Sequence, residues 1–120
     1  MWNFYKKGNR EIILNNKDKL IQILTRTVEI LRDNAYSAQA DAMRKPLHYL
    51  YLDDTKKFIK YLNTVDLWGG SGAAWEVWLE PKEVEREFKQ CIIDLVDELK
   101  NSGIKIPRER GIAKLFKKEL

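Results

Sequence analysis

Apolar residues recur along this chain at three- and four-residue intervals, the repeat of helices that each turn one face to a core. From Asn16 to about Asp33 the stripe is Leu20, Ile21, Leu24, Val28 and Leu31. Asn16 suits an N-cap, and Asp18 lies where a carboxylate favours the positive end of a helix. A second segment, Ala35 to about Leu52, sets Ala35, Ala38, Ala42, Tyr49 and Leu50 on one face, and its small residues invite a close neighbour. Pro46 should break or shift that helix, because it lacks a backbone donor and clashes with the preceding turn. Asp53-Asp54 reads as a turn and cap that launches a third helix through Phe58, Ile59, Leu62 and Val65.

The fourth helix has the broadest stripe: Val84, Phe88, Cys91, Ile92, Leu95, Val96 and Leu99. Pro81 suits a first helical position, and Glu83 and Glu85 favour the positive end. Lys100 falls in the last turn, and Gly103 suits a left-handed cap. Ile104-Lys105-Ile106-Pro107 reads as an extended linker, because the residue before proline avoids helical angles. A short basic helix from Glu109 to Lys118 then follows, with Ile112, Leu115 and Phe116 as its apolar contacts. No pair of alternating strands, internal repeat or low-complexity segment stands out. The pattern predicts an all-α fold, a compact bundle of four to five helices in one domain spanning residues 1–120.

Length agrees with one domain. A chain of 120 residues buries roughly two-thirds of the surface its unfolded form exposes. Charged residues interrupt every apolar stretch, so none reaches the roughly 18 residues a membrane span needs. The start, Met1-Trp2-Asn3-Phe4-Tyr5-Lys6-Lys7, has no apolar region after its basic residues, so a signal peptide is not expected. A single cysteine, Cys91, excludes an internal disulfide and a cysteine-based zinc site, and a single histidine, His48, removes most triads and metal sites. These features imply a reduced cytoplasmic domain, argue against an enzyme, and call for no cofactor and no metal.

The net charge of +4 is unevenly spread. From Lys100 to Leu120 the cations Lys100, Lys105, Arg108, Arg110, Lys114, Lys117 and Lys118 face only Glu109 and Glu119. This basic C-terminal tail, about 104–120, could contact nucleic acid or stay solvated. It lacks the interleaved aromatic and Gly residues that single-strand binders use. The body has an acidic strip instead, with Glu76, Glu80, Glu83, Glu85 and Glu87 facing Lys82 and Arg86 within the same stretch.

Isolated chemistry has plain explanations. His48 is expected to be a packed or surface residue, since Asp41 lies about two helical turns away. Cys91 falls on an apolar stripe with no basic neighbour to lower its pKa, so it reads as buried and inert. Asp53-Asp54 are accounted for by capping. Asp94, Asp97 and Glu98 read as a solvated face rather than metal ligands.

One segment departs from helical patterning. Asp66-Leu67-Trp68-Gly69-Gly70-Ser71-Gly72-Ala73-Ala74-Trp75-Glu76-Val77-Trp78-Leu79 places three glycines in four residues. Glycines permit positive φ and close backbone approach. Ser71 could cap a short helix from Gly72 to Leu79, with Trp75, Trp78 and Leu79 on one face. Three readings fit. A phosphate cradle lacks the lysine and the preceding strand that such loops use. A tight corner would pack the tryptophans into the core. A partner surface would use them as anchors, since aromatic residues carry much of the energy at protein interfaces. On the last reading the contacts are Asp66, Trp68, Trp75, Glu76, Trp78, Glu80 and Glu83, with Gly69, Gly70 and Gly72 forming the structural turn.

From about Leu20 to Leu99 the chain also resembles a set of small, helical, mostly uncharacterised bacterial proteins with a Gly-Gly-x-Gly turn. The matching positions are Asp53 or Asp54 at a helix start, Leu62 and Trp68 before the turn, Gly69, Gly70 and Gly72 within it, and Leu79 after it. Ser71 stands where those proteins often have Met, and Trp75-Glu76 where they often have Asn-Asp. They are similar to immunity proteins of polymorphic and contact-dependent toxin systems, which are small, cytoplasmic and cofactor-free. The resemblance implies a protein that binds and neutralises one cognate bacterial toxin. The acidic strip would suit a basic toxin surface. The competing expectation is a nucleic-acid-associated regulator that uses the basic tail.

Overall fold

The computed structural model describes residues 9–62, 77–104 and 107–120. Among these the chain is all-α, with six helices where four to five were expected: α1 (Asn9–Asn15), α2 (Lys17–Asp33), α3 (Ser37–Tyr51), α4 (Thr55–Leu62), α5 (Lys82–Asn101) and α6 (Pro107–Glu119). The additional element is α1, whose apolar Ile13 is fully buried. The Cα radius of gyration, 13.5 Å, matches the about 13.6 Å of a compact chain this long.

The helices neighbour one another in the order α4, α3, α2, α5, α6, with α1 against α2 and α4. Helix α2 is the centre of this arrangement because its stripe is wide enough to serve two partners. Leu20, Leu24 and Leu31 are fully buried, and Val28, Ile30 and Thr27 are buried beside them. Met43 and Leu50 of α3, Phe58, Ile59 and Leu62 of α4, and Ile92 and Leu95 of α5 complete the fully buried set. Burying each such side chain contributes about 1.5–3 kcal/mol.

Three helices end in the same way. The Tyr36 N–H bonds to the Leu31 carbonyl and the Ala35 N–H to that of Arg32; Asp54 bonds to Tyr49 and Asp53 to Leu50; Ile104 bonds to Leu99 and Gly103 to Lys100. Each is a paired closure around one left-handed residue: Ala35 at φ 67°, Asp53 at φ 58° and Gly103 at φ 79°. Gly103 fulfils the expected cap. Asp54 likewise caps α4, its Oδ1 accepting the Lys57 N–H at 3.1 Å. Asp53 joins distant elements, because its carboxylate pairs with Lys17 at 2.6 Å and its carbonyl accepts from Arg10 at 2.8 Å.

Two expectations about α3 are corrected. Pro46 lies inside the helix without ending it. Proline in a helix costs about 3 kcal/mol, but Pro46 is buried, and each buried ring methylene returns about 0.8 kcal/mol. The core-facing stripe is also rotated from the one expected. It runs through Ala40, Met43, Pro46 and Leu50, while Ala35 and Ala38 are exposed. The helix begins at Ser37, so Ala35 belongs to the left-handed turn before it.

Asn16 precedes α2 as expected, but its side chain makes no cap. Its amide donates instead to Ser102 Oγ at 3.2 Å. That hydroxyl donates onward to the Glu98 carbonyl, so the α1–α2 junction is tied to the end of α5. Pro81 is the N-cap of α5, one position before the first helical residue. Helix α6 starts at Pro107, two residues earlier than expected, and packs on α5 through Ile112, Ala113 and Phe116, whereas Leu115 is exposed. Among the described residues no helix is long and apolar enough to cross a membrane.

Candidate protein-docking surface

The segment leading into α5 is built around one tryptophan. Leu79 is buried, at 4% exposure, while Trp78 beside it is 78% exposed, the most exposed of the large hydrophobic residues described. Residues 77–79 are not helical, which corrects the end of the short helix expected from Gly72 to Leu79. Leu79 enters the core as its neighbour Trp78 leaves it.

Trp78 is held at both its backbone and its ring. The Tyr36 hydroxyl accepts from the Trp78 N–H at 2.7 Å and donates to the Trp78 carbonyl at 2.8 Å. The indole N–H donates to Glu80 Oε1 at 3.2 Å. Both backbone polar groups of Trp78 and the polar edge of its ring are thus engaged, leaving the ring's apolar surface to solvent.

Below Trp78 lies an open groove of about 360 Å³ between residues 77–79, α5 and α6. Leu79, Phe88 and Phe116, all buried, line it. The two phenyl rings meet edge to face with centroids 6.5 Å apart. Leu115, 45% exposed, also borders it. Lys89 completes the wall, its ammonium 2.7 Å from Glu85 and 3.2 Å from Glu119. These bonds raise the Lys89 pKa, and Lys89 in turn lowers that of Glu85. Such a site can take an apolar anchor against its floor, and Glu80, which holds the Trp78 indole N–H, offers a carboxylate to a cation.

Of the residues singled out from the sequence, Trp78 and Glu80 are brought together here. Glu83 is exposed in the first turn of α5 and does not line the groove. Asp66, Trp68, Trp75, Glu76, Gly69, Gly70 and Gly72 lie outside the described residues, as does Val65.

The acidic strip is less uniform than its sequence implies. Glu87 forms a two-pronged pair with Arg26 of α2, at 2.6 and 2.7 Å, and Glu85 pairs with Lys89. The Arg26 bonds hold the Glu87 carboxyl below its ordinary pKa. Two of the strip's charges are therefore spent within the fold, while Glu80 and Glu83 remain exposed.

Other candidates settle into structural roles. Burial raises the Cys91 pKa, although a Thr27 hydrogen bond opposes the shift. Glu98 is not on a solvated face: it is buried, and it pairs with Lys19 at 2.9 Å. Asp94 accepts from Gln90 at 2.9 Å, and Asp97 lies 3.6 Å from Lys117 of the basic tail. Among the described residues no group of three or more His, Cys, Asp or Glu could hold a metal ion.

Sequence reasoning overlooked a second cluster. Tyr49 of α3 and Tyr61 of α4 stack with centroids 5.1 Å apart and planes 8° from parallel. Tyr49 lay on an expected helical stripe, but the register between α3 and α4 that brings Tyr61 to it was not visible. No protein-family model, curated protein or solved structure matches the chain.

Proposed function

We propose that this chain is a cytoplasmic protein-binding module without enzymatic activity, and that it neutralises a cognate bacterial toxin as an immunity protein does. The observation that carries the binding reading is Trp78: an indole 78% exposed on a backbone clamped by Tyr36. An aromatic side chain ordered before contact loses little freedom on binding, and such residues dominate interface energetics. Exposed Glu80 and Glu83 beside it favour a basic partner surface and faster association. The kind of partner comes from the resemblance around the Gly-Gly-Ser-Gly turn.

The test is protection of cells. The chain is co-expressed with the protein that the tagged chain recovers from its native bacterium, and growth and Kd are measured for wild type and Trp78→Ala. Wild type should rescue growth, and the variant should bind at least about 30-fold more weakly. Failure of the wild-type chain to bind or protect overturns the immunity reading. Full binding by Trp78→Ala overturns the assigned surface.

A further inference from the structure

The stacked tyrosines lie in an open cleft of about 380 Å³ between α3 and α4, lined by Asp41, Arg44, Lys45, His48, Tyr49 and Tyr61. Two further cations reach the rings from α4. Lys57 Nζ is 5.3 Å from the Tyr49 ring centre, and Lys60 Nζ is 5.8 Å from that of Tyr61, where Lys45 also sits at 5.9 Å. Arg44 lies 3.5 Å from Asp41, the one carboxylate in the lining. Among the described residues none of Lys45, Lys57 and Lys60 has an ion-pair partner. Cations gathered around a π surface suit a ligand that is both anionic and aromatic.

We propose that this cleft binds a nucleotide unit of single-stranded nucleic acid, with phosphate on the lysines and the base against a tyrosine. The cleft's volume lies within the range of small-ligand sites. The lysines now resting on the rings are exposed, and a cation–π contact at a solvated position is weaker than base-on-aromatic stacking. A base therefore displaces a lysine from its ring, and the released ammonium meets the flanking phosphate. The guanidinium of Arg44 can exchange its 3.5 Å contact with Asp41 for a two-pronged phosphate contact. Stacking reads no sequence, so binding tolerates any base. This site is separate from the Trp78 surface and does not rest on the immunity reading. It also differs from the basic tail, since it lies on α3 and α4 rather than α6.

The experiment is fluorescence anisotropy of the full chain with a labelled oligothymidylate of about twelve nucleotides, at several salt concentrations. Four competitors follow: an abasic oligomer of equal length, thymidine monophosphate, inorganic polyphosphate and unlabelled oligomer. Binding should weaken with salt at a log–log slope of about −2, as for three neutralised phosphates. The abasic oligomer and polyphosphate should compete at least about tenfold more weakly than the unlabelled oligomer. Competition by the monophosphate at matched nucleotide concentration identifies a free nucleotide as the ligand; much weaker competition identifies the strand. The first outcome overturns the assignment to a strand, and the second supports it. The double variant Lys45→Glu, Lys60→Glu changes two exposed positions and should lose at least about tenfold in affinity, with an unchanged melting temperature. Reversing Lys114 and Lys118 in α6 is the charge-matched control and should have a much smaller effect. No binding at low salt, equal competition by polyphosphate, or loss confined to the α6 variant each overturns the proposal.

Discussion

The hydroxyl of Tyr36 accepts the Trp78 backbone N–H at 2.7 Å and donates to the carbonyl of the same residue at 2.8 Å, across 42 positions of sequence. One side-chain oxygen thereby satisfies both backbone polar groups of a residue that no helix serves. Tyr36 follows the left-handed Ala35 that closes α2, so the geometry of one helix end sets where the exposed indole stands. Removing the hydroxyl in Tyr36→Phe should cost about 1 kcal/mol, lowering the melting temperature by about 4 °C. Hydrogen exchange should show faster opening at residues 77–79. Unchanged exchange there would mean that Leu79, rather than Tyr36, positions the segment.

Trp78 and Leu79 predict opposite outcomes from adjacent substitutions. Trp78→Ala removes a ring that is mostly in solvent, so stability should change by no more than about 0.5 kcal/mol, while partner binding collapses. Leu79→Ala empties a buried site and should cost about 2–5 kcal/mol. Denaturant melts of both variants decide the matter. A large loss for Trp78→Ala would show that the indole is structural.

The elements were legible in the sequence because each stripe is long relative to a turn. Leu20, Leu24 and Leu31 on α2, and Phe88, Ile92, Leu95 and Leu99 on α5, are buried as their spacing predicts. Helix α3 was misread because alanine is neutral between faces: exposed Ala38 and buried Ala40 look alike until a neighbour is placed. Asp97 and Glu98 are adjacent carboxylates, yet Lys19 reaching from α2 makes a buried site tolerable for Glu98 alone. Pairings such as Arg26 with Glu87 and Tyr49 with Tyr61 depend on the register between helices. Local spacing carries no such information. The candidate site was half legible, as an aromatic and acidic segment in which only the fold identifies Trp78 as exposed.

The cap that positions Tyr36 is itself improvable. Ala35 adopts φ 67°, where a Cβ costs roughly 1–2 kcal/mol. Ala35→Gly removes that strain but adds about 0.5–1 kcal/mol of unfolded-chain freedom. The balance favours the glycine by up to about 1.5 kcal/mol, so the melting temperature should rise. The same change at Gly103 is already present in nature's choice for α5, and Gly103→Ala should lose a comparable amount. A drop in stability for Ala35→Gly would show that the alanine methyl packs usefully enough to outweigh its strain.

The Arg26–Glu87 pair makes stability depend on acid. Arg26 holds the folded Glu87 pKa below its ordinary 4.5, so its contribution is present above that value and is lost as pH falls through the lower folded value. Both side chains are nearly half exposed, at 47% and 44%, and solvent screening limits the pair to about 0.5 kcal/mol or less. Glu87→Gln should therefore melt slightly below wild type at pH 7, and the two should converge in strong acid, where wild-type Glu87 is also neutral. Added salt should narrow the gap at neutral pH, because an exposed pair is screened. A gap that persisted unchanged in acid would mean that Glu87 acts through packing or hydrogen bonding rather than charge.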